Sequence, residues 1–179
     1  MSGSSGRVVS PTAAFHALDT EDIVACHNIA LSKGLMESVS AYRRKRPEMA
    51  GVRTKYEALN ENREKEAAFE RIRAACYPDC PSRLGALFLF PNRETAKSAN
   101  ISWWNQKRAI LAATIVEAYR IGIFDCGLLV AEQDEWDTAA HRYWSGQPSA
   151  IPMQEIVLDG TIQLHDYEPY AKLITGIRQ

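Results

Sequence analysis

Three features that could carry chemistry stand far apart in the 179 residues: His16, the aromatic pair Phe88 and Phe90, and Glu155. Each falls in a short apolar run of strand-like composition, at residues 13–18, 84–90 and 155–158. A carboxylate such as Glu155 can stabilise positive charge that develops in a transition state. A phenylalanine ring can stack on a planar group but cannot donate a hydrogen bond to it. Arg83, just ahead of the second run, carries a guanidinium that can bind a phosphate bidentately or form a salt bridge. Taken singly, each residue has a plainer reading: His16 as a satisfied buried histidine, Glu155 as a strand-edge charge, Ser98 as a helix-surface residue.

The sequence has no Gly-rich phosphate loop, no His-Glu-x-x-His and no Gly-x-Ser-x-Gly, which removes the enzyme classes built on them. Cys26, Cys76, Cys80 and Cys126 form no zinc-like pair of pairs and read as reduced packing residues, with a redox or metal role for Cys76 and Cys80 as the alternative. No metal is expected at the site. A formal net charge of -1 gives no argument from bulk charge for nucleic acid or membrane. No apolar run is long enough to span a bilayer, so the expectation is a cytoplasmic protein without membrane contact.

The elements that must position these residues follow from the pattern. Residues 1–11 are Ser/Gly-rich and read as a disordered leader; residues 12–179 read as a single α+β domain. After the His16 strand, Thr20 is a plausible N-cap for a helix carrying Ile23, Cys26 and Ala30, stopped by a left-handed Gly34 with Leu35 as its hydrophobic contact. The basic stretch Tyr42-Arg43-Arg44-Lys45-Arg46-Pro47 reads as a solvated loop, or else as a contact for phosphates of NAD or a nucleic acid. Residues 55–76 predict one exposed helix, with Glu61 and Lys65 as an i,i+4 pair.

A helix capped by Asn92 follows the second strand, with Trp103 and Trp104 where it ends. Strands are predicted at residues 109–116, 119–124 and 127–131, and a helix at 136–144. Ser145 to Pro148 forms a turn. The runs 155–158 and 161–164 flank Asp159-Gly160, a hairpin or bulge signal.

Order and spacing make the chain similar to the His-Tyr-Glu branch of the ADP-ribosyltransferase superfamily. That branch has a strand histidine ahead of a helix ending in Gly-Leu, matched by His16 and Gly34-Leu35. It has an apolar strand running into a helix that can read Ser-Lys-Ser-Ala-Asn, matched by Leu87-Phe88-Leu89-Phe90 and Ala96-Lys97-Ser98-Ala99-Asn100. It has a late strand opening on glutamate, matched by Glu155-Ile156-Val157-Leu158. Ser82-Arg83 and Tyr143-Trp144-Ser145-Gly146 also resemble motifs of a small bacterial and phage family. Together the segments cover about a quarter of the chain.

The resemblance implies a split, mixed β-sheet with peripheral helices and an NAD cleft between the His16 and Glu155 strands. NAD would be a substrate. Glu155 would act on the nicotinamide ribose, His16 would hold a ribose hydroxyl of the adenosine half, and Phe90, or else Phe88, would stack on nicotinamide. Arg83 would face the pyrophosphate, and Ser98 would contribute to the same cofactor site. The sequence departs from the branch where its usual tyrosine is replaced by phenylalanine.

The activity implied is transfer of ADP-ribose to a macromolecule, with RNA or DNA preferred, in a toxin or phage-conflict effector that an antitoxin or inhibitor protein would restrain. Met153 stands where arginine-modifying relatives carry a second glutamate, which disfavours protein arginine. The alternatives are an inactive domain that only binds, and an NAD glycohydrolase or RNA 2'-phosphotransferase.

Overall fold

The computed structural model describes residues 13–59 and 62–173, so the leader and the Glu61–Lys65 pair lie outside the described residues. The chain is α+β. Its strands are β1 (Ala13–Asp19), β2 (Leu35–Glu37), β3 (Leu87–Leu89), β4 (Arg108–Asp125) and β5 (Gln154–Leu164). Its helices are α1 (Ile23–Leu31), α2 (Val39–Lys45), α3 (Lys55–Leu59), α4 (Arg63–Cys76), α5 (Arg93–Trp104) and α6 (Trp136–Trp144).

The sheet runs β1-β4-β5-β2, with β3 on β5 beside β2. Every pairing is antiparallel, so the expected mixed sheet is corrected: each strand's neighbour runs against it. β4 lies along one edge of β5, while β3 and β2 share the other edge at residues 156–158 and 161–163. The sheet curls until the end of β3 meets β1, where Phe15 and Phe90 exchange N–H···O bonds of 2.9 and 2.8 Å.

Leu18, Leu89, Leu111, Ile156, Leu158 and Ile162 fill the curl. On the outside, α4 and α6 pack Phe69, Ala140, Tyr143 and Trp144 over Val157 and Phe124. Separately, α5 lays Ala96 and Ala99 on Ala17 and Phe90.

Several expected boundaries move for local reasons. The cap of α1 is Asp22, whose carboxylate accepts from the Ala25 amide at 3.0 Å, rather than Thr20. Gly34 takes φ 84° as expected and bonds back to Ile29, but Leu35 starts β2 and stays exposed. The basic stretch is helical because Ser38 caps α2 through the Ala41 amide, and Pro47 only stops it. The helix expected at residues 55–76 is two, α3 and α4.

The run at 84–90 yields only three strand residues, since Arg83–Gly85 is a 3-10 turn. Asn92 does cap α5, through the Thr95 amide at 2.8 Å. Residues 109–124 are one strand, and the strand expected at 127–131 is a 3-10 turn, Cys126–Val130, which Asp125 caps through the Gly127 amide.

The Asp159-Gly160 pair sits inside an unbroken β5, which excludes a hairpin there. The bulges fall on β4 instead, between Ile115 and Glu117 and between Ala118 and Arg120, directly opposite. They bring the Glu117 carbonyl so close that a Cβ on residue 160 would sit 2.0 Å from its oxygen, which is why glycine stands there.

Candidate functional site

Alternation along β5 turns Glu155 and Val157 outward, under α4 and α6, while Ile156 and Leu158 face the curl. Glu155 is only 4% exposed and is met by the guanidinium of Arg83, itself 5% exposed, from the turn ahead of β3. The Arg83 Nη1 group donates to Glu155 Oε1 and also to Tyr143 Oη at 2.6 Å, and the Tyr143 hydroxyl donates to the same Oε1 at 2.7 Å.

The other side of Arg83 repeats this arrangement. Its Nε donates to Glu66 Oε2 at 3.3 Å and its Nη2 to Tyr56 Oη at 3.3 Å, while the Tyr56 hydroxyl donates to Glu66 Oε1. One cation thus bridges two tyrosine–glutamate pairs, Tyr143–Glu155 from α6 and β5 and Tyr56–Glu66 from α3 and α4.

The charges fit those roles. Burial pushes the Tyr143 hydroxyl well above its usual range and Tyr56 up to about 12, so both remain proton donors at neutral pH. Burial works against the charged form of Arg83, but the carboxylate of Glu155, then Tyr143 and Glu66, outweigh it and hold the guanidinium charged. Burial likewise pushes the nearby Cys126 thiol up to about 12, leaving it un-ionised.

His16 lies on the opposite side of β3. With Ala14 and Leu18 it belongs to the face of β1 turned into the curl, and its Nδ1 lies 3.0 Å from the Phe88 carbonyl. A carbonyl only accepts, so Nδ1 carries the proton. Burial, with a smaller effect from the Arg108 charge, lowers the imidazole pKa below its ordinary value, which leaves Nε2 as a hydrogen-bond acceptor.

Phe88 joins the two halves: its carbonyl receives His16, and its ring lies 4.9 Å from the Arg83 guanidinium carbon and packs edge-on against Tyr56. His16, Phe88, Arg83 and Glu155 therefore converge on β3, His16 from one face and Arg83 with Glu155 from the other.

Other expected positions are not part of this junction. Phe90 is 2% exposed and wedged against Trp103, Trp104, Ala96 and Ala99, so its ring has no free face for a ligand. Ser98 is exposed on α5, on the side away from the buried Ala96 and Ala99. Arg83 is committed to Glu155 and Glu66 rather than open to a pyrophosphate. Tyr143, Tyr56 and Glu66 are the additions to the site; Tyr143 lay within the Tyr-Trp-x-Gly motif, whereas Tyr56 and Glu66 sat in a stretch that read as exposed helix.

Two cavities flank the network. A cleft of about 240 Å³ between α3 and α4 is lined by Tyr56 and Glu66 together with Arg53, Glu57, Arg63 and Leu84. An open groove of about 620 Å³ lies between α4 and the start of α6, around Ala67, Arg71 and Trp136.

All four cysteines are free thiols, and among the described residues no group of three His, Cys, Asp or Glu is placed to hold a metal. Among them, too, no helix is long and apolar enough to cross a membrane. The family described as "Protein of unknown function (DUF2441)" matches residues 18–169. No curated protein matches the chain.

Proposed function

The chain belongs to that family, its match taking in α1 to α6 and β2 to β5, and we propose that it is an ADP-ribosyltransferase-like domain that takes NAD as substrate. The observation that carries this reading is the junction on β3, where His16 bonds the backbone of Phe88 and the Phe88 ring lies on the guanidinium that holds Glu155. The curled antiparallel sheet with helices outside it is read as the ADP-ribosyltransferase-like fold.

In this reading the bare Nε2 of His16 accepts a ribose hydroxyl of the adenosine half. The bond between nicotinamide and ribose C1' breaks, nicotinamide leaves with the electron pair, and the ribose develops oxocarbenium character that a carboxylate stabilises. The acceptor oxygen or nitrogen then bonds C1' and loses its proton. Arg83 and Tyr143 both reach Oε1 of Glu155, fixing the carboxylate while Oε2 is the oxygen turned to the ribose.

RNA or DNA remains the preferred acceptor through the resemblance alone. The basic stretch lends it no support, because Arg43, Arg44, Lys45 and Arg46 are all paired with Glu57, Asp159, Glu37 or Glu117. A second reading, a binding domain without turnover, is favoured by the burial of Glu155 in its ion pair.

Nicotinamide release from NAD, measured by chromatography with RNA, DNA or cell lysate added, separates the two. Acceptor-dependent release that Glu155→Gln lowers by about 10²-fold or more, without loss of fold, supports transfer. No release under any condition, together with no NAD-induced rise in melting temperature, overturns the NAD reading.

A further inference from the structure

We propose that the cleft between α3 and α4 is a binding site for a small phosphate-bearing anion, held by Arg53 and Arg63. The argument begins with charge. The lining residues carry two guanidinium groups and two carboxylates, but both carboxylates are already neutralised from outside the cleft. Glu57 receives Arg43 Nη2 at 2.9 Å, and Glu66 receives Arg83 Nε at 3.3 Å. Four arginines therefore face two glutamates, and Arg53 and Arg63 are the excess, in a chain whose net charge is -1.

Neither excess cation is consumed by its contacts. The Arg53 side chain is 68% exposed and approaches Glu57 only at 3.8 Å, where Arg43 is already closer. Arg63 is exposed, and its Nη2 donates to the Ala58 carbonyl at 2.6 Å, which orients the guanidinium at the cleft without neutralising it. Between them the first turns of the 14-residue α4 line the cleft, so the positive end of its dipole adds to the field.

The floor is built rather than accidental. Thr54 accepts the Glu57 amide at 2.8 Å and donates to the Leu84 carbonyl at 2.8 Å, tying α3 to the turn that carries Arg83. Tyr56 and Leu84 supply an aromatic and an aliphatic surface beneath the two guanidiniums. A volume of about 240 Å³ lies below the range of about 300–1,000 Å³ for drug-sized ligands, so the occupant is the size of pyrophosphate or a mononucleotide rather than a nucleic-acid strand.

The proposal does not depend on NAD chemistry at Glu155, and its test is kept apart from that activity. Calorimetric titration of the full chain uses three probes: inorganic pyrophosphate, adenosine monophosphate and a short single-stranded oligonucleotide. The expected result is saturable binding of at least one small probe that weakens with added salt and falls at least tenfold in Arg53→Ala/Arg63→Ala. Binding should be retained in Glu155→Gln. Both arginines are exposed, so the double variant keeps its fold, which its melting temperature checks. Absence of binding by both small probes, binding that survives the double substitution, or binding of the oligonucleotide alone would overturn it.

Discussion

Two sets of basic side chains make the same bond to carboxylates under opposite conditions. On α2 and just after it, Arg43, Lys45 and Arg46 sit with side chains 26–43% exposed and share Glu57, Glu37 and Glu117. In the network around β3, a single Arg83 with a side chain 6% exposed serves both Glu66 and Glu155. Water and salt screen the first set, and its members substitute for one another: Glu37 is reached by both Lys45 and Arg46. The second set has no spare cation and little solvent. Its two tyrosine hydroxyls supply the remaining donors. The surface set can therefore lose a charge and relax, whereas the buried set is an all-or-none arrangement in which one guanidinium supports the turn before β3, α4, α6 and β5 together.

The largest effect is expected from Arg83→Met. Two buried carboxylates then lose their only cation, and breaking a buried pair from one side costs about 3–5 kcal/mol. Urea unfolding should show that loss, and adding Glu66→Gln and Glu155→Gln should recover part of it, because amides do not need a counter-charge. A cost below about 1 kcal/mol for Arg83→Met would mean that the network contributes no more than an exposed pair.

His16, on the other face of β3, gives a smaller effect of a different kind. Its folded-state pKa lies below its ordinary value of 6.5 because burial disfavours the imidazolium, with the Arg108 charge adding to this. Above about pH 6.5 the ring is neutral in both the folded and unfolded chain, and stability does not depend on its protonation. Below that pH the unfolded chain binds a proton that the folded chain resists, so stability falls as the pH falls toward the folded-state pKa. Stability measured between pH 8 and pH 5 should therefore decline more steeply in the wild type than in His16→Gln. Equal slopes would show that the imidazole is as readily protonated in the folded chain as in the unfolded one.

What the sequence made legible follows the same division. His16, Glu155 and the Phe88 strand were found because a polar or aromatic residue in an apolar run has few local explanations. The cap at Asn92 and the left-handed Gly34 were found because their signals are local. Misread positions were those whose state depends on distant partners. Arg83 looked able to face phosphate until Glu66 and Glu155 came within reach from 17 and 72 residues away. Phe90 read as a stacking ring because nothing near it in sequence reveals that α5 closes over it. The Asp159-Gly160 pair reads as a turn unless the β4 bulge opposite, 43 residues earlier at Gly160, is known to need the space. Glu66 and Tyr56 carried no signal at all, since a glutamate among lysines on a polar helix reads as solvated.

The smallest effect, and the sharpest contrast with Arg83, is expected from Arg46→Ala. Its ion pair with Glu37 spans 3.1 Å at the surface, and Lys45 already lies 2.7 Å from the same carboxylate, so the glutamate keeps a counter-charge after the substitution. The guanidinium also lies 4.2 Å from the Tyr42 ring centroid, an exposed contact that adds some packing to what is lost. An exposed pair of this kind is worth about 0.2–1 kcal/mol. Urea unfolding should give a loss in that range, shrinking as sodium chloride is raised from low to near-molar concentration. The Arg83→Met loss should barely change over the same series, since its partners lie where mobile ions do not reach. A salt-insensitive cost above about 2 kcal/mol at Arg46 would place the α2 cations in the same class as Arg83 and remove the distinction between the two sets.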